Sequence, residues 1–165
     1  MTRPSSKAIA FYKPGNYHPD ESAAYLMRQI VSLVGGEVDR ALEPAGLTSA
    51  QWVPLLKLHM GEASTVAELA RECKLDTGAM TRLLDRLEAK GLIARVRSCE
   101  DRRVVNLELT PEGLEAAKGI PPVLCKVQNA FLDGFSVAEW QQLKELLRRV
   151  LANGQALQAE TQGSE

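Results

Sequence analysis

Residues 65–97 read TVAELARECKLDTGAMTRLLDRLEAKGLIARVR, and the fold turns on how this stretch is punctuated. Thr65-Val-Ala-Glu68 has the form of a capping box, in which a Thr hydroxyl and a Glu carboxylate satisfy each other's orphan backbone N–H groups at a helix start. Val66, Leu69, Ala70 and Cys73 then recur at the i, i+3, i+4, i+7 spacing of one buried helical face. Lys74-Leu75 supplies a turn, and Asp76 caps a second helix whose inward side is Met80, Leu83, Leu84 and Leu87 and which closes at Gly91. Ile93 to Arg97 and Val104 to Leu109 follow, the second alternating as Val105, Leu107, Leu109, around the polar loop Ser98-Cys-Glu-Asp-Arg-Arg103. This last unit reads as a β-hairpin.

Two capped helices joined by a tight turn and followed by a polar-tipped hairpin are the layout of a winged helix-turn-helix. With Met80, Leu83, Leu84 and Leu87 turned inward, helical spacing puts Thr77, Gly78, Thr81, Arg82, Asp85 and Arg86 on the outer side. These residue types suit DNA. Thr offers a hydroxyl and a methyl, Arg82 reaches guanine or phosphate, and Gly78 permits close approach of a sugar-phosphate backbone. At the hairpin tip, Arg102 and Arg103 suit a narrow minor groove, with Asp101 orienting a neighbouring guanidinium. Charge agrees with this reading. The chain has a net charge of −1, yet residues 71–103 hold nine basic residues against six acidic ones, a balance of +3 that leaves −4 for the remainder.

Working outward, Asp20 after Pro19 is expected to cap a long helix carrying Tyr25, Leu26, Ile30, Leu33, Val34 and Val38, ending near Pro44 and Gly46. Thr48-Ser-Ala-Gln51 is a second capping box, leading into a helix that Pro54 should bend. Beyond the hairpin, Thr110-Pro111-Glu112 starts a helix with an N-cap and an N1 proline, and Gly119 with Pro121-Pro122 predicts a kink or break within it. Ser136-Val-Ala-Glu139 opens a last helix with Trp140, Leu143, Leu147, Val150 and Leu151 on one face, expected to fray from about Asn153. The fold class is therefore mainly α with a small β-hairpin wing. Residues 1–47 are expected to form an N-terminal extension and first long helix, 48–109 the winged helix-turn-helix DNA-binding domain, and 110–165 the C-terminal helices.

Composition narrows the alternatives. With 165 residues, 20 Lys plus Arg, 21 Asp plus Glu and 45% apolar residues, the chain is long enough for one core and too apolar for a disordered polyelectrolyte. No apolar run approaches the roughly 18 residues of a membrane span, and no signal-peptide pattern opens the chain, so a cytoplasmic location away from membranes is expected. Cys73, Cys99 and Cys125 are widely spaced with no CxxC pair, which fits reduced thiols. His18 and His59 are the two histidines, and HExxH, GxSxG, P-loop and GxGxxG motifs are missing. Neither an enzyme nor a bound metal or other cofactor is expected.

Leu47-Thr-Ser-Ala-Gln-Trp52, Thr65 to Ala70, Thr77 to Ile93, and Glu100-Asp-Arg-Arg103 followed by Leu107 to Gly113 closely resemble the MarR family of bacterial transcriptional regulators. The resemblance implies a homodimer in which the first and last two helices of both chains intertwine, leaving two winged domains to grip double-stranded DNA at a pseudo-palindromic operator. It implies repression, relieved by small phenolic or aromatic acids. By position, Thr77, Gly78, Ala79, Thr81, Arg82 and Arg86 would enter the major groove, and Asp101 and Arg103 match the family's wing Asp-x-Arg. Pro121-Pro122 and the extension up to Asp20 depart from the family pattern.

A family pocket between dimer helices and winged domain points to Tyr17, His18, Tyr25, Arg28, Gln51, Trp52 and His59. Aromatic walls with a cationic or donor group suit a small aromatic carboxylate as effector. Two other readings stand beside this one. Cys99, among Arg97, Arg102 and Arg103, would act as a redox sensor in one, and the winged helix would serve protein interaction in the other.

Overall fold

The structure is a computed structural model that describes residues 9–97 and 105–163. The hairpin tip, with Cys99, Asp101, Arg102 and Arg103, lies outside the described residues. The elements are α1 (Ala23–Leu42), α2 (Ser49–His59), α3 (Val66–Glu72), α4 (Thr77–Ala89), β1 (Ile93–Arg97), β2 (Val105–Leu109), α5 (Pro111–Phe131) and α6 (Val137–Gln162).

Side-chain caps place most of these starts where the sequence puts them. Asp76 accepts the Ala79 N–H at 2.8 Å, Thr110 the Gly113 N–H at 2.9 Å, and Thr65 and Ser136 the N–H groups of Glu68 and Glu139 at 3.3 Å each. Each satisfies a donor that a bare helix end would leave unpaired. The expected Asp20 cap is corrected. Pro19–Glu21 is a 3-10 turn, and Ser22 caps α1 by accepting from Tyr25 N–H at 3.2 Å, while the Tyr12 hydroxyl accepts from Ala23 N–H at 2.9 Å. Asp20 sits one turn too early to reach those donors.

The break expected at Pro121-Pro122 and the fraying expected from Asn153 do not occur. Pro54 lies within a continuous α2, and Pro121 and Pro122 within a continuous α5. The proline pair removes two backbone donors, but its fixed φ is compatible with a helix. Buried Ala117 and Ile120 before the pair, and Val123, Leu124 and Val127 after it, pack against one core and keep both halves in one helix. Similarly, α6 does not fray at Asn153 but runs to Gln162. Its tail is rich in Ala, Leu, Gln and Glu, which favour helix without any packing.

β1 and β2 pair antiparallel from Ile93 opposite Leu109 to Arg97 opposite Val105. A single-residue bridge from Thr65 to Asn106 and a Leu107 N–H to Ser64 carbonyl bond of 2.8 Å attach the start of α3 to the same sheet. The core gathers Leu55, Leu69, Met80, Leu84, Leu87 and Ile120, all fully buried, with Val38, Leu42, Ile93, Leu107 and Ala117 around them. Thus α2, α3, α4, the hairpin, the end of α1 and the first half of α5 share one interior. α6 contributes no buried residue.

The capping box of α3 carries a prediction. Glu68 accepts from the Ser64 N–H at 2.7 Å, the Ser64 hydroxyl at 3.0 Å and the Thr65 N–H at 3.1 Å, and these bonds, the Ser64 backbone first, hold its carboxyl below the usual range. The stabilisation is therefore complete above the ordinary carboxylate range and disappears as pH falls through the lowered value. Glu68→Gln should make the acid limb of the stability curve shallower, measured by urea unfolding at successive pH values. A limb as steep as that of the wild type would show that the box is not formed in solution.

Candidate nucleic-acid interface

The outer side of α4 is built by its inner side. Met80, Leu84 and Leu87 are fully buried and Leu83 is nearly so, which fixes the rotation of the helix and leaves Thr77, Gly78, Thr81, Arg82 and Arg86 exposed and Ala79 half-buried. Thr81 is exposed and donates its hydroxyl to the Thr77 carbonyl at 2.8 Å. At Gly78 a Cβ would lie 3.2 Å from Asp76 Oδ1, the capping oxygen, and 3.9 Å from Arg82 Nη1. Glycine thus keeps room for the cap as well as for a DNA backbone.

The charges on this surface divide into two groups. Arg95 of β1 donates to Asp85 at 2.7 Å and also to Glu88, both on α4, and these bonds raise its already high pKa. Wing strand and recognition helix are thereby tied, and Asp85 is occupied. Arg71, Lys74, Arg82, Arg86 and Arg97 are exposed and carry no ion pair among the described residues. Unpaired guanidinium groups pay no intramolecular penalty on meeting a phosphate or a guanine edge. At about 20 Å long and helical in cross-section, α4 fits a major groove roughly 12 Å wide. Asp101, Arg102 and Arg103 belong to the hairpin tip outside the described residues, so the wing contacts stay a sequence expectation.

Sequence reasoning missed the Arg95 lock, although Asp85 and Glu88 stand one helical turn apart on α4, ten and seven residues before Arg95. It also missed the bonds of Lys90, whose ammonium group donates to the Gly46 carbonyl at 2.6 Å and to Gln51 Oε1 at 2.9 Å.

The seven residues assigned to an effector are distributed over the extension, α1 and α2. Tyr17 and exposed His18 lie in the extension, where Tyr17 packs edge-on to Tyr12 at 5.8 Å. Tyr25 and Arg28 are together near the start of α1, with the guanidinium carbon 5.5 Å from the ring centroid. Gln51 is buried in the α2 capping box and bonded to Lys90, Trp52 is half-buried against the core, and His59 is exposed at the far end of α2. Ser49 donates to Asp39 of α1, so the start of α2 lies beside Asp39, about 21 Å along α1 from Tyr25. The Trp52 indole N–H and Asp39 Oδ1 are buried with no partner among the described residues. A separate cavity of about 550 Å³ lies between α1 and α5, lined by Glu37, Arg40, Ala41, Lys126, Val127, Ala130 and Phe131. No cluster of His, Cys, Asp and Glu suited to a metal occurs among the described residues, and no helix there is long and apolar enough to cross a membrane.

Comparison with known proteins agrees with this geometry. The MarR family model matches residues 47–105, which span the end of the α1–α2 turn to the start of β2. The transcriptional regulator PA3341 is 33% identical and superposes with a TM-score of 0.72, over 81% of this chain and 98% of its own. A cysteine-to-serine variant of MarR from E. coli, in complex with operator DNA, is 26% identical, with a TM-score of 0.70 over 78% of this chain and 92% of that one. BpsR of Bordetella bronchiseptica, whose DNA binding is regulated by 6-hydroxynicotinic acid, shares the fold at 24% identity and a TM-score of 0.70, over 82% and 97%. Proteins of this family are transcriptional regulators and not enzymes. An exposed face of arginines and threonines on the second helix of a winged domain, with this family match across it, has one reading: the chain belongs to the MarR family and is a DNA-binding transcriptional regulator.

Proposed function

We propose that the protein is a homodimeric repressor whose two α4 helices read the half-sites of a pseudo-palindromic operator, and that a small aromatic carboxylate releases it. One observation carries the dimer. α6 is 26 residues long and buries none of them, while its Val150, Leu151 and Leu157 and the Ile30, Val31 and Leu33 of α1 are more than half exposed. Apolar surface on this scale calls for a partner, since each such side chain gains roughly 1.5–3 kcal/mol on full burial. A second copy related by two-fold symmetry covers both faces at once and sets two recognition helices about one DNA turn, roughly 34 Å, apart.

The same symmetry bears on the effector. Tyr17, His18, Tyr25 and Arg28 lie in the extension and at the start of α1, and Gln51, Trp52 and His59 on α2, whose first residue lies beside Asp39 near the other end of α1. In the dimer the α1 start of one chain approaches α2 of the other, and an aromatic carboxylate bridges the Arg28 guanidinium and the open Trp52 N–H. The chemistry of the BpsR effector is of this kind. A ligand acts only through unequal affinity for the DNA-bound and free spacings, and a coupling of about 1–3 kcal/mol gives roughly 5- to 150-fold release.

Sedimentation equilibrium should return twice the chain mass of 18.1 kDa, and Leu147→Glu on α6 should shift it toward the single chain. A wild-type monomer at micromolar concentration would remove the dimer, and with it the shared effector site.

A further inference from the structure

Lys90 stands at i+4 from Arg86 and i+8 from Arg82, so spacing alone places it third in the row of cations on the DNA side of α4. Its side chain goes elsewhere. It turns into the corner between α1 and α2, donating to the Gly46 carbonyl at 2.6 Å and to Gln51 Oε1 at 2.9 Å. Both acceptors are themselves fixed. Gly46 sits at φ 68°, in the left-handed turn that ends the α1–α2 connection, and Gln51 is buried with the same Oε1 accepting the Thr48 N–H at 3.4 Å.

The neighbouring residues make a second attachment. Thr110 donates its hydroxyl to the Gly91 carbonyl at 2.6 Å and its N–H to the Leu92 carbonyl at 3.2 Å, which fastens the same end of α4 to the start of α5. The C-terminal end of the recognition helix is thus held to the end of one long helix and the start of another, while the groove-facing residues Thr77 to Arg82 lie toward its other end. A tilt of about 10° at the held end would carry the far end of a helix about 20 Å long by roughly 3 Å. Such a displacement is comparable to the length of a hydrogen bond, large enough to lose base contacts.

We propose that Lys90 is a positioning residue: by holding the end of α4 to the Gly46 and Gln51 acceptors, it sets the tilt of the recognition helix and hence the spacing of the two helices in the dimer. The proposal rests on the dimeric DNA-binding reading and adds to it that a cation in the recognition row works on the protein and not on a phosphate.

The experiment compares wild type, Lys90→Met and Lys90→Arg on a duplex that the wild type selects from a random pool. The same duplex with one base pair inserted or removed between half-sites, and an unrelated duplex, complete the set, all across a salt series. Active fractions are fixed by stoichiometric titration. Lys90→Met should bind the selected duplex about tenfold more weakly, discriminate less between the three spacings, and keep both the salt slope and the affinity for unrelated DNA. Lys90→Arg, which restores a charged multiple donor, should recover most of the loss. Wild-type affinity for Lys90→Met, measured on its folded fraction, would overturn the proposal. So would an equal loss on every duplex with a salt slope reduced by about one, the mark of a phosphate contact. Failure of the wild type itself to select any duplex would contradict the DNA-binding dimer instead, and is separately visible.

Discussion

Gly113→Ala is expected to cost about 3 kcal/mol or more and to remove much of the cooperative unfolding transition. A Cβ at this position would lie 1.7 Å from the Leu92 carbonyl oxygen and 2.7 Å from its carbon, and both are backbone atoms that no rotamer change can move aside. Backing away is costly because the same few atoms carry the joint between α4 and α5. The Leu92 oxygen accepts the Thr110 N–H, and Thr110 in turn caps Gly113. Against a total stability of about 5–15 kcal/mol, such a loss is a large share. Gly119→Ala supplies the control within the same helix. A Cβ there meets nothing within 4 Å, so the substitution should be neutral or stabilise slightly through helix propensity. Urea titration followed by circular dichroism separates the two, and a Gly113→Ala midpoint equal to that of the wild type would show that the helix and the turn are not in contact.

Arg82→Ala should leave the fold intact and weaken operator binding by about 1–3 kcal/mol, roughly 5- to 150-fold. The side chain is exposed and has no ion-pair partner among the described residues, so its removal leaves no buried group stranded. The pattern of loss identifies its contact. A base contact relaxes one operator position on each half-site, whereas a phosphate contact weakens all duplexes alike and lowers the salt slope by about one per arginine. Asp85→Ala is instructive beside it, because it removes an acceptor from Arg95 and so loosens the wing strand. Binding by Arg82→Ala equal to that of the wild type on the selected duplex would take α4 out of the groove.

The winged domain was legible because its signals are local. The four inward residues of α4, the caps at Thr65, Asp76, Thr110 and Ser136, and the turn at Gly91 each follow from residue type and spacing, and the structure places them accordingly. Signals that depended on packing were not. Pro121-Pro122 reads as a break because a sequence shows the lost donors but not the core contacts on either side that keep α5 continuous. The tail of α6 lacks a clear apolar stripe beyond Asn153, and intrinsic propensity carries it on regardless. Nothing in residues 64 and 65 announces a partner for β2, since a bridge of one residue leaves no alternation to detect.

The binding residues divide the same way. Arg82 and Arg86 follow from the helical period, whereas Lys90 shares that period but bends along the surface to acceptors on the α1–α2 connection and the start of α2. The effector set was assembled from aromatic and donor types scattered between positions 17 and 59. Their division between the extension, the start of α1 and α2 is set by helix lengths and turns that those residue types do not announce.

Selective DNA recognition by this winged domain is tested by fluorescence anisotropy. Wild-type protein is titrated against a labelled duplex selected from a random pool and against a scrambled duplex of equal length, from low to physiological salt. Affinity for the selected duplex should exceed that for the scrambled one by at least about a thousandfold at physiological salt, with both falling steeply as salt rises. Equal affinity for the two duplexes across the whole salt range would contradict selective recognition.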